Sequence, residues 1–173
     1  MRGERWFTAT AAGVSVRLPG QVREVVGDLA EAVLGLLPPA GDPLFPPEVA
    51  PSTPSDPALA RLFPAGYGDD DGGEAAAEFR RLTSGGLRDG KAADAGRVRE
   101  TLQAQALSVD DAEAWLRCLN DVRLVLAARL GLHADGDAEA LEAAGRGGQL
   151  LALYGVLGAT QDDLLEALAE GGH

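Results

Sequence analysis

The sequence has one cysteine and two histidines, and of its fifteen Lys and Arg residues only Lys91 is a lysine. Each scarcity removes a class of function. A lone Cys118 cannot close an internal disulfide, which excludes an extracellular disulfide scaffold. Two histidines, one of them the terminal His173, do not make a metal site, and neither a metal nor a cofactor is expected. Long apolar runs are also missing. No stretch approaches the roughly 18 residues of a membrane-spanning helix, and the N-terminus lacks the apolar core of a signal peptide. The expectation is a cytoplasmic protein with no membrane partner. There is no G-x-S-x-G, P-loop or H-E-x-x-H motif, so the chain does not read as an enzyme. Aromatic residues make up only 5%, so the core must be mostly Leu, Val and Ala.

The 173 residues suffice for one domain with a proper core, expected to span 1–173. The 46% hydrophobic and 24% charged content is that of a globular protein. A net charge of −12 repels a phosphate backbone and an anionic membrane unless basic residues cluster. One cluster exists: Arg80, Arg81, Arg88, Lys91, Arg97 and Arg99. It has no interleaved aromatics and no helix-turn-helix spacing, so it reads as a solvated face and nucleic-acid binding as weak. Asp69-Asp70-Asp71 lacks the spaced ligands of a calcium loop. Gly145 to Gly148 is glycine-rich but follows no strand, which makes a phosphate cradle a weak reading.

The pattern predicts a mostly α fold, a single helical domain around a central helix with a small N-terminal β-hairpin. The hairpin covers residues 5–18, with Ala12-Gly13 at its turn. A helix follows from Gln21 to Leu37, ended by Pro38-Pro39. The Pro-rich stretch 38–57 reads as a surface loop without regular structure. Ser55 or Asp56 caps a short helix with Pro57 in its first turn, and 66–73 reads as a flexible acidic loop. Helices are expected from Glu74 and over Lys91–Ala106, with Gly85-Gly86 as a break or kink. A polar, Gly-rich stretch after Gly131 holds one helical turn near Glu139–Ala143. Two closing helices are expected over Gln149–Leu157 and Gln161–Glu170, with Thr160 as cap and Asp163 at the capping-box position.

The central helix, Val109–Leu130, is the most informative segment. Ser108 is its N-cap, and Asp110 and Asp111 suit its positive end. Ala112, Trp115, Leu116, Leu119, Val122, Leu126 and Leu130 form one apolar stripe. Arg123 falls inside that stripe, so it is expected to be buried against a carboxylate such as Asp56 or Glu78. With Asn120 it also offers a site for an anionic ligand or a peptide. Glu113, Arg117 and Asp121 are spaced as a solvated ladder. Cys118 is the candidate redox residue, weighed against a semi-buried structural thiol.

Three runs carry a resemblance. They are Ser55–Pro64 with Tyr67, then Glu78-Phe79-Arg80-Arg81-Leu82-Thr83, and Trp115-Leu116 leading to Leu119-Asn120-Asp121-Val122-Arg123-Leu124. With the closing Leu150–Leu168 region, including Tyr154 and Gln161, they resemble the actinobacterial DUF2017 family. The resemblance implies a small bacterial cytoplasmic protein whose gene often neighbours that of the Clp protease adaptor. One branch is described as oxidative-stress regulators acting through a C-x-x-x-C pair. Here Cys118 has Ala114 and Val122 four residues away on either side, so that pair is missing.

These readings nominate Asp56, Arg61, Tyr67, Glu78, Arg80, Arg81, Asn120 and Arg123 as a polar site for a partner. The function expected is non-catalytic, regulatory or protein-binding. The alternative is a DNA-linked oxidative-stress transcriptional regulator. A third reading is a small-molecule enzyme using Arg61, Tyr67, Arg123 and nearby carboxylates. The leucines of the closing helices point in more directions than one core face absorbs, so a two-fold homodimer is also expected.

Overall fold

The computed structural model describes residues 5–37, 56–63, 74–134 and 136–171, with 74–85 described as helix backbone only. Residues 38–55 of the Pro-rich stretch, the acidic stretch 66–73 and Tyr67 lie outside the described residues, while Pro57, at the end of the expected loop, opens a helix. Strands β1 (Phe7–Thr10) and β2 (Gly13–Val16) form the expected hairpin, pairing Phe7 with Val16 and Thr10 with Gly13. A third strand, β3 (Ala106–Leu107), pairs antiparallel with β2 and was not read from sequence. Gly13 makes this sheet possible. Its φ is +140°, and a Cβ there would collide with the Leu107 carbonyl. Phe7, Val14, Val16 and Leu107 turn to the core.

Six helices follow among the described residues: α1 (Gly20–Leu36), α2 (Pro57–Leu62), α3 (Glu74–Thr101), α4 (Val109–Leu130), α5 (Asp137–Ala143) and α6 (Gly148–Glu170). No described helix is long and apolar enough to cross a membrane. Helix α4 has the predicted bounds. Ser108 accepts from the Asp111 amide, and Gly131 takes the left-handed C-cap with φ 72°. The Leu132 and Gly131 amides then close on Ala127 and Ala128, the Schellman arrangement that satisfies the last carbonyls. Around α4 pack α1, α2, α3, α6 and strands β2 and β3. Trp115 is fully buried, edge-on to Phe7 with ring centroids 6.3 Å apart, and its indole N–H donates to Thr101 Oγ at 2.8 Å.

Two expected breaks are absent. Helix α3 runs unbroken through Gly85 and Gly86, and α6 runs unbroken through Thr160. Thr160 does not cap; its hydroxyl donates to the Val156 carbonyl one turn earlier, at 2.7 Å. Asp163 is not a capping-box residue either. Its carboxylate accepts from the Trp6 and Phe7 amides, at 2.7 and 2.9 Å, and from Arg5 Nε at 3.1 Å. It thereby fastens the start of β1 to α6.

Candidate binding site

Arg123 leaves α4 toward α6, where three residues on one face receive it. Gln161 Oε1 accepts from Nη1 at 2.9 Å, the Tyr154 hydroxyl accepts from Nη2 at 3.3 Å, and the guanidinium lies 4.8 Å from the Tyr154 ring centroid. Between them Gly158 presents backbone, so a Cβ there would stand 3.6 Å from Cζ. Residues 154, 158 and 161 follow the i, i+4, i+7 spacing of one helical face. Of the two expected carboxylate partners, Asp56 lies elsewhere and the Glu78 side chain is outside the described residues. Among the described residues no acid lies within ion-pair distance of Arg123, and the side chain is half-buried rather than enclosed. Neutral acceptors and an aromatic face hold it instead.

Arg61 on α2 approaches the same place. Its Nη2 donates to the Leu132 carbonyl at 2.8 Å and lies 3.2 Å from His133 Nδ1. Helix α2 is held there from its other end by Asp56, which caps it through the Ala58 amide at 2.8 Å and pairs with Arg129 at 3.0 Å. Arg61, Asn120, Arg123, His133 and Tyr154 line an open recess of about 250 Å³. Three of the nominated residues therefore meet. Asp56 faces Arg129 instead, Tyr67 lies outside the described residues, and so do the side chains of Glu78, Arg80 and Arg81. His133 was not nominated. The only signal for it was its place just past a helix end, which does not specify a neighbour.

A second polar cluster lies on another side of α4. Lys91 Nζ donates to Asp121 at 2.6 Å, with Asp121 only 4% exposed. Asp121 is thus not the outer rung of a solvated ladder. Glu113 and Arg117 do pair, at 3.6 Å, but Arg117 then turns to Asp94 with two bonds of 2.9 Å. Burial pushes the Asp121 carboxyl above the usual carboxylate range, opposed by the hydrogen bond and charge of Lys91. A groove of about 580 Å³ runs over this pair, along Gly86, Leu87 and Gly90 of α3.

The family model for DUF2017, a domain of unknown function, matches residues 1–168. The chain belongs to the DUF2017 family. No curated protein and no solved structure matches it.

In this DUF2017 chain Cys118 is 3% exposed. Burial, with Asp121 and Asp94 nearby, pushes its thiol up to about 12. A reactive thiol needs the opposite setting, open and electropositive. The basic stretch on α3 is equally compensated where its side chains are described. Lys91 pairs with Asp121, Arg97 with Asp111 and Glu100, Arg99 with Glu31, and Arg88 with Asp89. Charges paired in this way release few counterions on a phosphate backbone. On α6, Leu150, Val156 and Leu165 are exposed, but at about 100° per residue Val156 falls on the opposite side from the other two, and Leu150 and Leu165 lie about four turns apart along the helix. They make no single apolar patch among the described residues.

Proposed function

We propose that this DUF2017 protein is a non-catalytic regulatory protein of the bacterial cytoplasm. It acts by binding another protein at the Arg61–Arg123 recess. One observation carries the reading. In a chain of net charge −12, two half-buried arginines from different helices converge on one open recess, and neither has an acidic partner among the described residues. Uncompensated, oriented charge is costly to fold around and is what a binding site retains. Residues from three separate runs, at Arg61, Asn120 with Arg123, and Tyr154, form this place.

The test is affinity capture from the native cell with quantitative mass spectrometry, comparing wild type with the R61Q/R123Q variant. Proteins depleted at least about tenfold from the variant, a difference of about 1.4 kcal/mol, support the role. An unchanged partner list overturns it. So does tight, specific duplex binding in physiological salt, which transfers the protein to the DNA-linked alternative.

A further inference from the structure

We propose that the Arg61–Arg123 recess takes a carboxylate: a monoanion carried beside an apolar group, as at a peptide C-terminus or on an Asp or Glu next to an aliphatic residue. The inference rests on the binding role above and adds the chemistry of what is bound.

The donors left over define the site. Both contacts of Arg61 use Nη2, leaving its Nη1 and Nε with no partner among the described residues. On Arg123, Nη1 and Nη2 each make one bond and each carries a second N–H. The Tyr154 face fixes the plane of that guanidinium, so its fork is oriented before any ligand arrives. Asn120 is exposed at the rim and adds a carboxamide. Two planar guanidinium forks match the planar, two-oxygen geometry of a carboxylate.

The surroundings select against a phosphate. The recess lies at the C-terminal end of α4, the negative end of its dipole, which penalises a dianion more than a monoanion. The backbone amides that would ligate phosphate there are occupied: those of His133 and Ala134 donate to Asp137 Oδ2, at 2.7 and 2.9 Å. The Asp137 charge adds to the penalty. Beside these polar groups the recess is lined by a smaller apolar strip from Leu124, Ala127, Leu132 and Ala134. A volume of about 250 Å³ admits a carboxylate with a short aliphatic side chain and leaves no room for a nucleotide.

The experiment is an NMR titration of the full chain, reading the Arg61 and Arg123 Nε–Hε signals and the Asn120 side-chain amide. The probes are N-acetyl-leucine, its amide, N-acetyl-leucyl-glutamic acid α-amide, whose side-chain carboxylate is free, and inorganic phosphate. Saturable millimolar shifts with N-acetyl-leucine or with the glutamic peptide support the proposal, and the tighter of the two names the source of the carboxylate. The leucine amide should bind at least about tenfold more weakly, as should N-acetyl-leucine to folded R61Q or R123Q, the loss expected for one charge-assisted pair. Equal binding of acid and amide, tighter binding of phosphate, or no saturation overturns the proposal. The acid–amide comparison is made on wild type, so it stands even if a variant fails to fold. Partners lost from R61Q/R123Q with no carboxylate binding would overturn the carboxylate alone. Carboxylate binding with an unchanged partner list would support it and overturn the protein-binding role.

Discussion

Asp121 and Arg123 are two residues apart on α4, yet the structure treats their charges in opposite ways. Asp121 points into the α3 side, is nearly buried beneath the groove and meets the only lysine of the chain. Arg123 points toward α6, stays half-exposed and, among the described residues, meets the Gln161 amide and the Tyr154 hydroxyl and ring. The first arrangement is a buried ion pair, complete in itself and intolerant of change. The second leaves a fixed cation at an open recess, which is where a ligand can add something the fold does not. A polar residue on a buried-looking stripe is thus a weak guide to function. What separates structure from site is whether its charge has already been answered.

The contrast is broken most sharply by removing Lys91. An acid whose folded pKa lies above its unfolded value contributes most favourably below the ordinary carboxylate range. That contribution is lost as pH rises through the raised value. Lys91 opposes this loss by supplying a charge to the ionised form. Lys91→Met should therefore cost about 3–5 kcal/mol near neutral pH, with an unpaired carboxylate left in the core. The deficit should shrink as pH falls through the raised value and Asp121 takes up a proton. Urea unfolding at neutral and at acidic pH reads the effect, and K91M/D121N should recover most of it. A loss below about 1 kcal/mol would make the pair equivalent to a surface bridge and erase the comparison.

Cys118 sharpens the closed side of the contrast. Its thiol stands at about 12 against an ordinary 9.0, a thiolate population lower by about a thousandfold. Alkylation of native protein by iodoacetamide should be slower than that of denatured protein by a comparable factor. Rates within about tenfold of each other would show an accessible, ionisable thiol and revive the redox reading.

What could be read from sequence follows the range of the forces involved. Helices α2 and α4 were legible because their starts are local chemistry: Ser55 or Asp56 before Pro57, of which the structure uses Asp56, and Ser108 three residues before Asp111. The interruptions expected in α3 and α6 were not there. Glycine costs a helix about 1 kcal/mol, and packing against α4 supplies more than that. Strand β3 is two residues long and exists only because β2 is beside it. The site was half legible. The Arg123 position marked it, but its orientation depends on α6, and Lys91 meets Asp121 across thirty residues of sequence. Helical spacing shows which face a side chain is on, not which charge another helix brings to it.

On the open side the expected effect is smaller. Arg123→Ala removes two hydrogen bonds and a ring contact whose other members are neutral and can turn to water. The cost should be about 1–2 kcal/mol, below that of Lys91→Met, because no buried acid is left behind. Thermal or urea unfolding checks it. A loss of about 4 kcal/mol would show that Arg123 is as structural as Lys91, and the recess would then be a packing feature.

The smallest effect tests how tightly that cation is held. Gly158 sits in the middle of α6, facing the Arg123 guanidinium, and its helical backbone requires no special conformation. An added methyl would lie 3.6 Å from Cζ and Nη2 and 3.8 Å from Nε, ordinary van der Waals distances. Replacing a mid-helix glycine by alanine gains up to about 1 kcal/mol through backbone entropy. Gly158→Ala should therefore be neutral or stabilising by up to about 1 kcal/mol, with the Arg123 Nε–Hε signal still present and close to its wild-type position. Destabilisation by more than about 1 kcal/mol would mean that the guanidinium has no room to shift. Arg123 would then be clamped like the Lys91–Asp121 pair, and the difference between an answered and an unanswered charge on α4 would no longer mark out a binding site.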